Sequence, residues 1–190
     1  MNEKELFIRA LAQATKIINQ VTVNDFDHAT PDTEWNVRRL AQHMIYELSW
    51  TPDLVQGATI KDVGDKYDGD LIGDNLVAEW QAAAEKASHA VSQSDLTDIA
   101  HLSYADVSVA DYLREAASDQ LIHAWDLGVA TNQKVSFDPD LAKAIYINVL
   151  PKLPSMANSR LFAAPLKVAK KAELQAKLLA LFGRNSDWHP

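Results

Sequence analysis

The sequence predicts an all-α protein, built as a helical bundle. Apolar residues recur at the helical period in several long segments, polar N-cap residues precede those segments, and very little of the chain alternates like a strand. The 190 residues contain no cysteine, and that length suits one domain, residues 1–190, which buries its core without disulfides. Each helix can be placed from its own local pattern.

The first two helices are each predicted from an apolar stripe with a polar cap in front of it. Asn2 is placed as the N-cap of the first helix, with Glu5 as its N3 partner, and Asn36 caps the second. The stripe of the first helix comprises Leu6, Phe7, Ala10, Leu11, Ala14, Ile17, Ile18 and Val21. The stripe of the second helix comprises Val37, Leu40, Ala41, Met44, Ile45 and Leu48.

The next segments alternate between turn-rich stretches and helices. The glycine- and aspartate-rich stretch 57–73 is predicted to be a surface loop, and a third helix follows over about 74–91. Ser108 and Asp111 open the fourth helix, which ends near Thr131 and Asn132.

The C-terminal part is predicted to add shorter helices. Asp138 or Pro139 starts a fifth helix, which Pro151 and Pro154 end. Residues 173–182 form a short last helix.

Charge and composition limit the partners. The net charge of −8 repels phosphate backbones and anionic membrane surfaces, so neither nucleic acid nor a membrane is expected as a partner. The N-terminus lacks the pattern of a secretory signal and no apolar run approaches a membrane span, which indicates a cytoplasmic protein. The expected partner is a small-molecule substrate, and a homodimer is left open.

One segment has the spacing of a metal site. In SDQLIHAWDL, Asp119 and His123 lie one helical turn apart, so both side chains can reach the same ion. His43 lies in a second amphipathic segment, WNVRRLAQHMIYELSW. Two imidazoles and one carboxylate leave coordination positions open, which is typical of a catalytic rather than a structural metal site.

A helical-wheel projection places these residues beside the core rather than in it. On the second and fourth helices, a polar edge flanks the apolar stripe, on the same side in both. The edge of the fourth helix contains Tyr112, Asp119, His123 and Asp126, and that of the second contains Arg39, His43, Glu47 and Trp50. This arrangement predicts a groove at the margin of the bundle, where a substrate can enter.

The spacing alone also permits an ordinary structural interpretation. Polar pairs four residues apart are common on solvated helix edges and contribute weak helix-stabilising contacts. Glu47 fits a solvated glutamate, a fourth metal ligand or a base. The other histidines are interpreted as surface residues and three tryptophans as core or tail anchors: His28, His89, His101 and His189, and Trp35, Trp125 and Trp188.

Several separated segments together resemble the DinB-like metalloenzymes. WNVRRLAQHMIYELSW, DQLIHAWDLGVAT and the tail from MANSRLFAAPLKV to LLALFGRNSDW are similar to the branch that includes the N-terminal domain of mycothiol-dependent maleylpyruvate isomerase. The resemblance implies a four-helix bundle, here with additional short C-terminal helices, that holds a divalent metal through His43, Asp119 and His123. The isomerase has glutamate at the position of Asp119 and an additional C-terminal domain.

The resemblance also implies a chemistry. A low-molecular-weight thiol cosubstrate binds the metal, ionises and attacks a small electrophile, giving a thiol transferase or isomerase. Zinc, nickel and iron(II) all tolerate this ligand set. Asp126 would orient a ligand histidine or pair with Arg39, and Arg160 and Arg184 would hold a substrate carboxylate.

Two alternatives remain open from the sequence. The metal could activate water instead of a thiol, which would make the protein a small hydrolase. The bundle could also bind a metal or a partner protein without catalysing a reaction, because a fold does not determine a function.

Overall fold

The computed structural model describes residues 1–153 and 163–190, and it is built almost entirely from helices. The all-α prediction is confirmed: in the described part of the chain, the only sheet is one antiparallel pair of short strands. The elements are α1 (Glu3–Ile18), α2 (Val37–Leu54), α3 (Ile60–Val63), α4 (Leu76–Gln93), β1 (Ile99–His101), β2 (Asp106–Ser108), α5 (Val109–Ala130), α6 (Pro139–Val149) and α7 (Leu174–Leu181).

The four long helices form the bundle. Helix α1 packs against α4 and α5, and α2 packs against the same two helices, so that each long helix has two neighbours among the other three. Helices α6 and α7 pack on each other, and α6 also contacts α1 and α5. One cluster of buried apolar side chains connects all these elements. None of the described helices is both long enough and apolar enough to cross a membrane.

The predicted N-caps are confirmed. The side chain of Asn2 accepts a hydrogen bond from the backbone N–H of Glu5, and the side chain of Asn36 does the same for Arg39. Ser108 caps α5 in the same way. Asp138 caps α6. These side chains satisfy backbone donors that would otherwise have no partner at the helix start.

Three details differ from the sequence prediction. The stretch predicted as a loop contains the short helix α3. A reciprocal capping box between Thr59 and Asp62 stabilises the start of this helix. The strands β1 and β2 were not predicted, because three residues are too few for alternation to be visible. Pro151 lies in a short 3₁₀ turn after α6, whereas Pro154 lies outside the described residues.

Helix α5 is buried on nearly all sides, including the edge that was predicted to be solvated. Tyr112 is buried, and Asp126 is fully buried. The edge prediction was therefore wrong for these two residues. The reason is tertiary: α1 and α2 both contact α5, and the C-terminal segment packs over its remaining side through a contact between Arg184 and Asp126.

Gly128 lets the end of α5 pack closely against its neighbours. A Cβ atom at this position would lie 2.3 Å from Cγ2 of Val135 and 3.4 Å from side-chain atoms of Ile17. The backbone N–H of Gln133 donates to the Gly128 carbonyl over 2.8 Å, which holds the following loop against the helix. A residue larger than glycine therefore has no room here.

We expect Gly128→Ala to lower the free energy of unfolding by about 1–3 kcal/mol in urea denaturation, because the overlap with Val135 forces a shift of packed atoms. The cost outweighs the helix-propensity gain of about 1 kcal/mol. The control adds Val135→Ala, which removes the overlapping atom, so the double variant should lose less than the sum of the two single losses. Unchanged or increased stability of Gly128→Ala would contradict this packing.

Candidate metal centre

Helices α2 and α5 bring His43, Asp119 and His123 together. One ligand atom from each residue lies within 4.8 Å of the other two. Nε2 of His123 is 3.3 Å from Oδ1 of Asp119, and Nε2 of His43 is 3.9 Å from Oδ2 of the same carboxylate. Both imidazoles therefore direct Nε2 toward the carboxylate that lies between them.

This donor set fits a divalent metal ion. Metal–ligand bonds of about 2.0–2.2 Å place tetrahedral ligand atoms about 3.4 Å apart, close to the two distances observed. Oδ2 of Asp119 is buried and has no hydrogen-bond partner among the described residues. An unpaired buried carboxylate oxygen beside an imidazole nitrogen is costly without a cation, and a metal ion would supply one.

Asp126 holds the ring of His123 from the other side. Oδ2 of Asp126 lies 3.2 Å from Nδ1 of His123, one turn further along α5. This contact fixes the tautomer that leaves Nε2 available to a metal, as carboxylates behind metal-binding histidines commonly do. Asp126 is thus in contact with His123, as the predicted role of orienting a ligand histidine requires.

The partner of Asp126 is Arg184 rather than Arg39. The guanidinium of Arg184 donates from Nε over 3.1 Å to Oδ1 and from Nη2 over 2.8 Å to Oδ2 of Asp126. Arg184 also reaches Asp32 over 3.4 Å and the carbonyl of Phe182 over 3.1 Å, so its three acceptors belong to the protein rather than to a substrate. Arg39 is exposed, and Arg160 lies outside the described residues.

The charges of the three residues depend on one another. Burial alone would lower the pKa of His123, but the carboxylates of Asp119 and Asp126 raise it to about 10. Burial disfavours ionisation of Asp119, yet the neighbouring histidines hold its pKa below the usual range. Burial lowers the pKa of His43, which keeps that imidazole neutral. Without a metal, the proton on His123 compensates the two adjacent carboxylates.

Trp35 covers the histidine pair. Its ring lies 4.5 Å from that of His43 and 5.9 Å from that of His123, between ring centroids. Trp35 was predicted to be a core or tail anchor, and the structure places it against both candidate ligands. Trp35 begins the segment WNVRRLAQHMIYELSW, but it precedes the first residue of α2, so the helical period did not predict the direction of its side chain.

Glu47 lies beside the candidate ligands without joining them. Its Oε1 is 4.0 Å from Nδ1 of His43, and its side chain is 49% exposed. Partial burial, together with the negative charge of Asp119, raises the pKa of Glu47 to about 7. A carboxyl group with that pKa can exchange protons near neutral pH.

A cavity of about 750 Å³ adjoins these residues. Asp119 and Glu47 belong to its wall, which α2 and α5 form together with residues 102–104 and the segment from Asn148 to Lys152. A volume of this size accommodates a small organic molecule. The groove predicted at the margin of the bundle is therefore present, and Asp119 is the candidate ligand that lines it.

The remaining histidines do not join this group. His28 contacts the carbonyl of Ala130, and His101 pairs with Asp106 across the β1–β2 hairpin. Among the described residues, only His43, Asp119 and His123 form a cluster of three potential ligands.

Comparisons with known proteins identify the family. The family model of the mycothiol maleylpyruvate isomerase N-terminal domain matches residues 8–128. The uncharacterized protein MT0763 of Mycobacterium tuberculosis (strain CDC 1551 / Oshkosh) is 25% identical over 139 residues, which are 70% of each chain. The uncharacterized protein Rv0738 of Mycobacterium tuberculosis (strain ATCC 25618 / H37Rv) matches with the same identity and coverage. No solved structure matches the chain.

The matched range includes all three candidate ligands and Asp126, whereas Arg184 lies beyond it. Because the match covers more than half of the 190 residues, the chain belongs to the family of the mycothiol maleylpyruvate isomerase N-terminal domain.

Proposed function

We propose that this protein is a divalent-metal-dependent enzyme that acts on a small electrophilic substrate with the help of a low-molecular-weight thiol. The enzyme either transfers the thiol to this substrate or uses the thiol to isomerise it. The observation that carries the proposal is the position of His43, Asp119 and His123 beside the cavity. Three protein ligands leave room for a thiol, and the cavity gives the electrophile a place next to it. The family match supports a mycothiol-related role.

His43, Asp119 and His123 would hold the metal, and this ligand set suits zinc, nickel and iron(II). When bound, the metal supplies a Lewis acid that makes a thiolate available at neutral pH. The chain contains no cysteine, so the sulfur nucleophile must come from a cosubstrate.

In this proposal, Glu47 accepts the proton of the thiol and later returns it. It belongs to the cavity wall, and its pKa of about 7 allows it to accept and return a proton near neutral pH. For addition to an unsaturated carbonyl compound, sulfur forms a bond to carbon as the carbon–carbon π bond breaks. Glu47 then returns the proton to the carbon next to the new C–S bond.

Removing any one candidate ligand should abolish metal binding. We expect near-stoichiometric metal in the parent protein, purified without a metal-affinity tag, and little in His43→Ala, Asp119→Asn or His123→Ala, measured by elemental mass spectrometry. The matched control is His89→Ala, because His89 is exposed and outside the cluster. Circular dichroism checks that each variant keeps its helices.

Absence of metal in the parent protein, even after incubation with zinc, nickel or iron(II), would contradict the proposal. Metal that persists in all three ligand variants would contradict the assigned site.

Glu47→Gln should retain the metal and lose activity. We expect a roughly hundredfold lower thiol-dependent rate, because the amide cannot exchange the proton. The assay follows cinnamaldehyde absorbance with a panel of thiols that includes cysteine, glutathione and mycothiol. Glu85→Gln changes an exposed glutamate on α4 and serves as the control. Turnover that continues without any thiol would indicate a metal-activated water and contradict the thiol mechanism.

Arg184→Gln should weaken the fold and the metal site together. We expect a loss of about 3 kcal/mol of unfolding free energy, because the fully buried Asp126 carboxylate loses its guanidinium partner. Metal affinity should fall about tenfold or more, because Asp126 no longer holds His123 in one orientation. Urea denaturation and competition with a chelating dye measure the two effects. Arg39→Gln removes an exposed arginine and should change neither.

A further inference from the structure

The cavity extends from the metal ligands along two helices. On α2 its wall includes Glu47, Thr51 and Leu54, which follow His43 toward the C-terminus of the helix. On α5 its wall runs in the opposite direction, from Asp119 back to Ala116 and Tyr112. The twelve residues from His43 to Leu54 span about 16 Å of helix. A molecule in the cavity can therefore reach the metal with one end and lie along the wall with the rest.

The wall is apolar and rich in aromatic rings. The aromatic side chains come from five different parts of the fold, which are α1, α2, α5, the segment after β1 and the segment after α7. They are Phe7, Tyr46, Trp50, Tyr104, Tyr112 and Phe182. Such a wall favours a ligand with an apolar body, because burial of apolar surface contributes the binding free energy.

The charged groups of the wall disfavour an anion. Glu47, Asp119 and Glu115 contribute three carboxylates. The two cations among the described wall residues are already paired with protein carboxylates. Arg114 donates to Asp111 over 2.8 Å and to Glu3 over 2.5 Å.

Lys152, the second cation, donates to Glu115 over 2.9 Å. A substrate carboxylate would therefore meet wall carboxylates, while the described cations already carry protein counter-ions.

Two buried polar atoms in the wall lack partners. They are Nε1 of Trp50, a donor, and Oε1 of Gln120, an acceptor, and neither has a hydrogen-bond partner among the described residues. Both residues are more than nine-tenths buried. Buried polar groups in native proteins are nearly always paired, so a small side-chain adjustment toward a polar ligand group would satisfy them. The wall thus suits a ligand with an apolar body and a neutral polar group.

We infer that the substrate of this cavity is an uncharged, apolar-bodied small molecule with a neutral polar group, and not a carboxylate. The inference rests on the proposed function, since it names the electrophile of the same site. It excludes dicarboxylates in particular, because each additional negative charge meets the same three wall carboxylates.

The test compares the binding of two ligands that have the same carbon skeleton and differ in charge. Cinnamamide is neutral and cinnamate is anionic at neutral pH. Both are titrated into chelator-treated protein and into the His43→Ala variant, so that no carboxylate can bind through a metal. Indole N–H signals of the ¹⁵N-labelled tryptophans report binding, and Trp50→Phe assigns the signal from the wall. We expect cinnamamide to bind at least about tenfold more tightly than cinnamate in both proteins.

Ala116→Phe fills the cavity and should remove cinnamamide binding, whereas Ala82→Phe, on the exposed face of α4, should leave it unchanged. Equal affinities, tighter binding of cinnamate, or no binding of cinnamamide would overturn the inference. Because the measurement uses metal-free protein, it is independent of the metal and thiol tests. A failed metal test with selective cinnamamide binding would refute the catalytic proposal and leave the ligand class standing.

Discussion

The buried interaction of Asp126 with Arg184 and His123 is the constraint on which the rest of the site depends. An isolated carboxylate in a protein interior costs several kcal/mol, so a fully buried aspartate requires compensation from both sides. Arg184 supplies a two-point contact from the C-terminal segment, and His123 supplies a ring nitrogen from the same helix. The pair therefore ties the C-terminal segment to α5 and fixes the imidazole that faces the metal position.

The same constraint explains the protonation of the site. Asp126 and Asp119 lie on opposite sides of the His123 ring, so the metal-free protein keeps a proton on that ring and raises its pKa. A divalent ion would replace this proton and compensate both carboxylates more strongly. His43 and Trp35 complete the environment from α2 and the segment before it. If the proposed metal binds, it would take the place of this proton, because ligand histidines must be neutral.

The features that could be predicted from the sequence are those that local interactions determine. The helices and their caps follow from apolar periodicity and from side chains such as Asn36 and Ser108, whose hydrogen bonds span only three residues. The juxtaposition of His43 with the α5 pair was implied by the family resemblance, and the helical period of both segments permitted it.

The features that could not be predicted from the sequence depend on tertiary contacts. Arg184 and Asp126 are 58 residues apart in the chain, and no local pattern indicates that they pair. The exposure of Asp126 was misjudged for the same reason, since a helical wheel cannot show that a third layer covers the polar edge of α5. Trp35 was missed because turn-rich segments have no periodicity from which a side-chain direction follows.

The cavity residues and the candidate metal ligands of α5 follow one another along one side of this helix. Tyr112 and Ala116 line the cavity, Asp119 and His123 are candidate ligands one and two turns later, and Asp126 is the buried anchor. One packed helix fixes these positions relative to one another, and on α5 the cavity wall and the candidate ligands share only Asp119. Changes in the first turns of α5 can therefore alter which molecule fits the cavity while the ligand geometry stays intact.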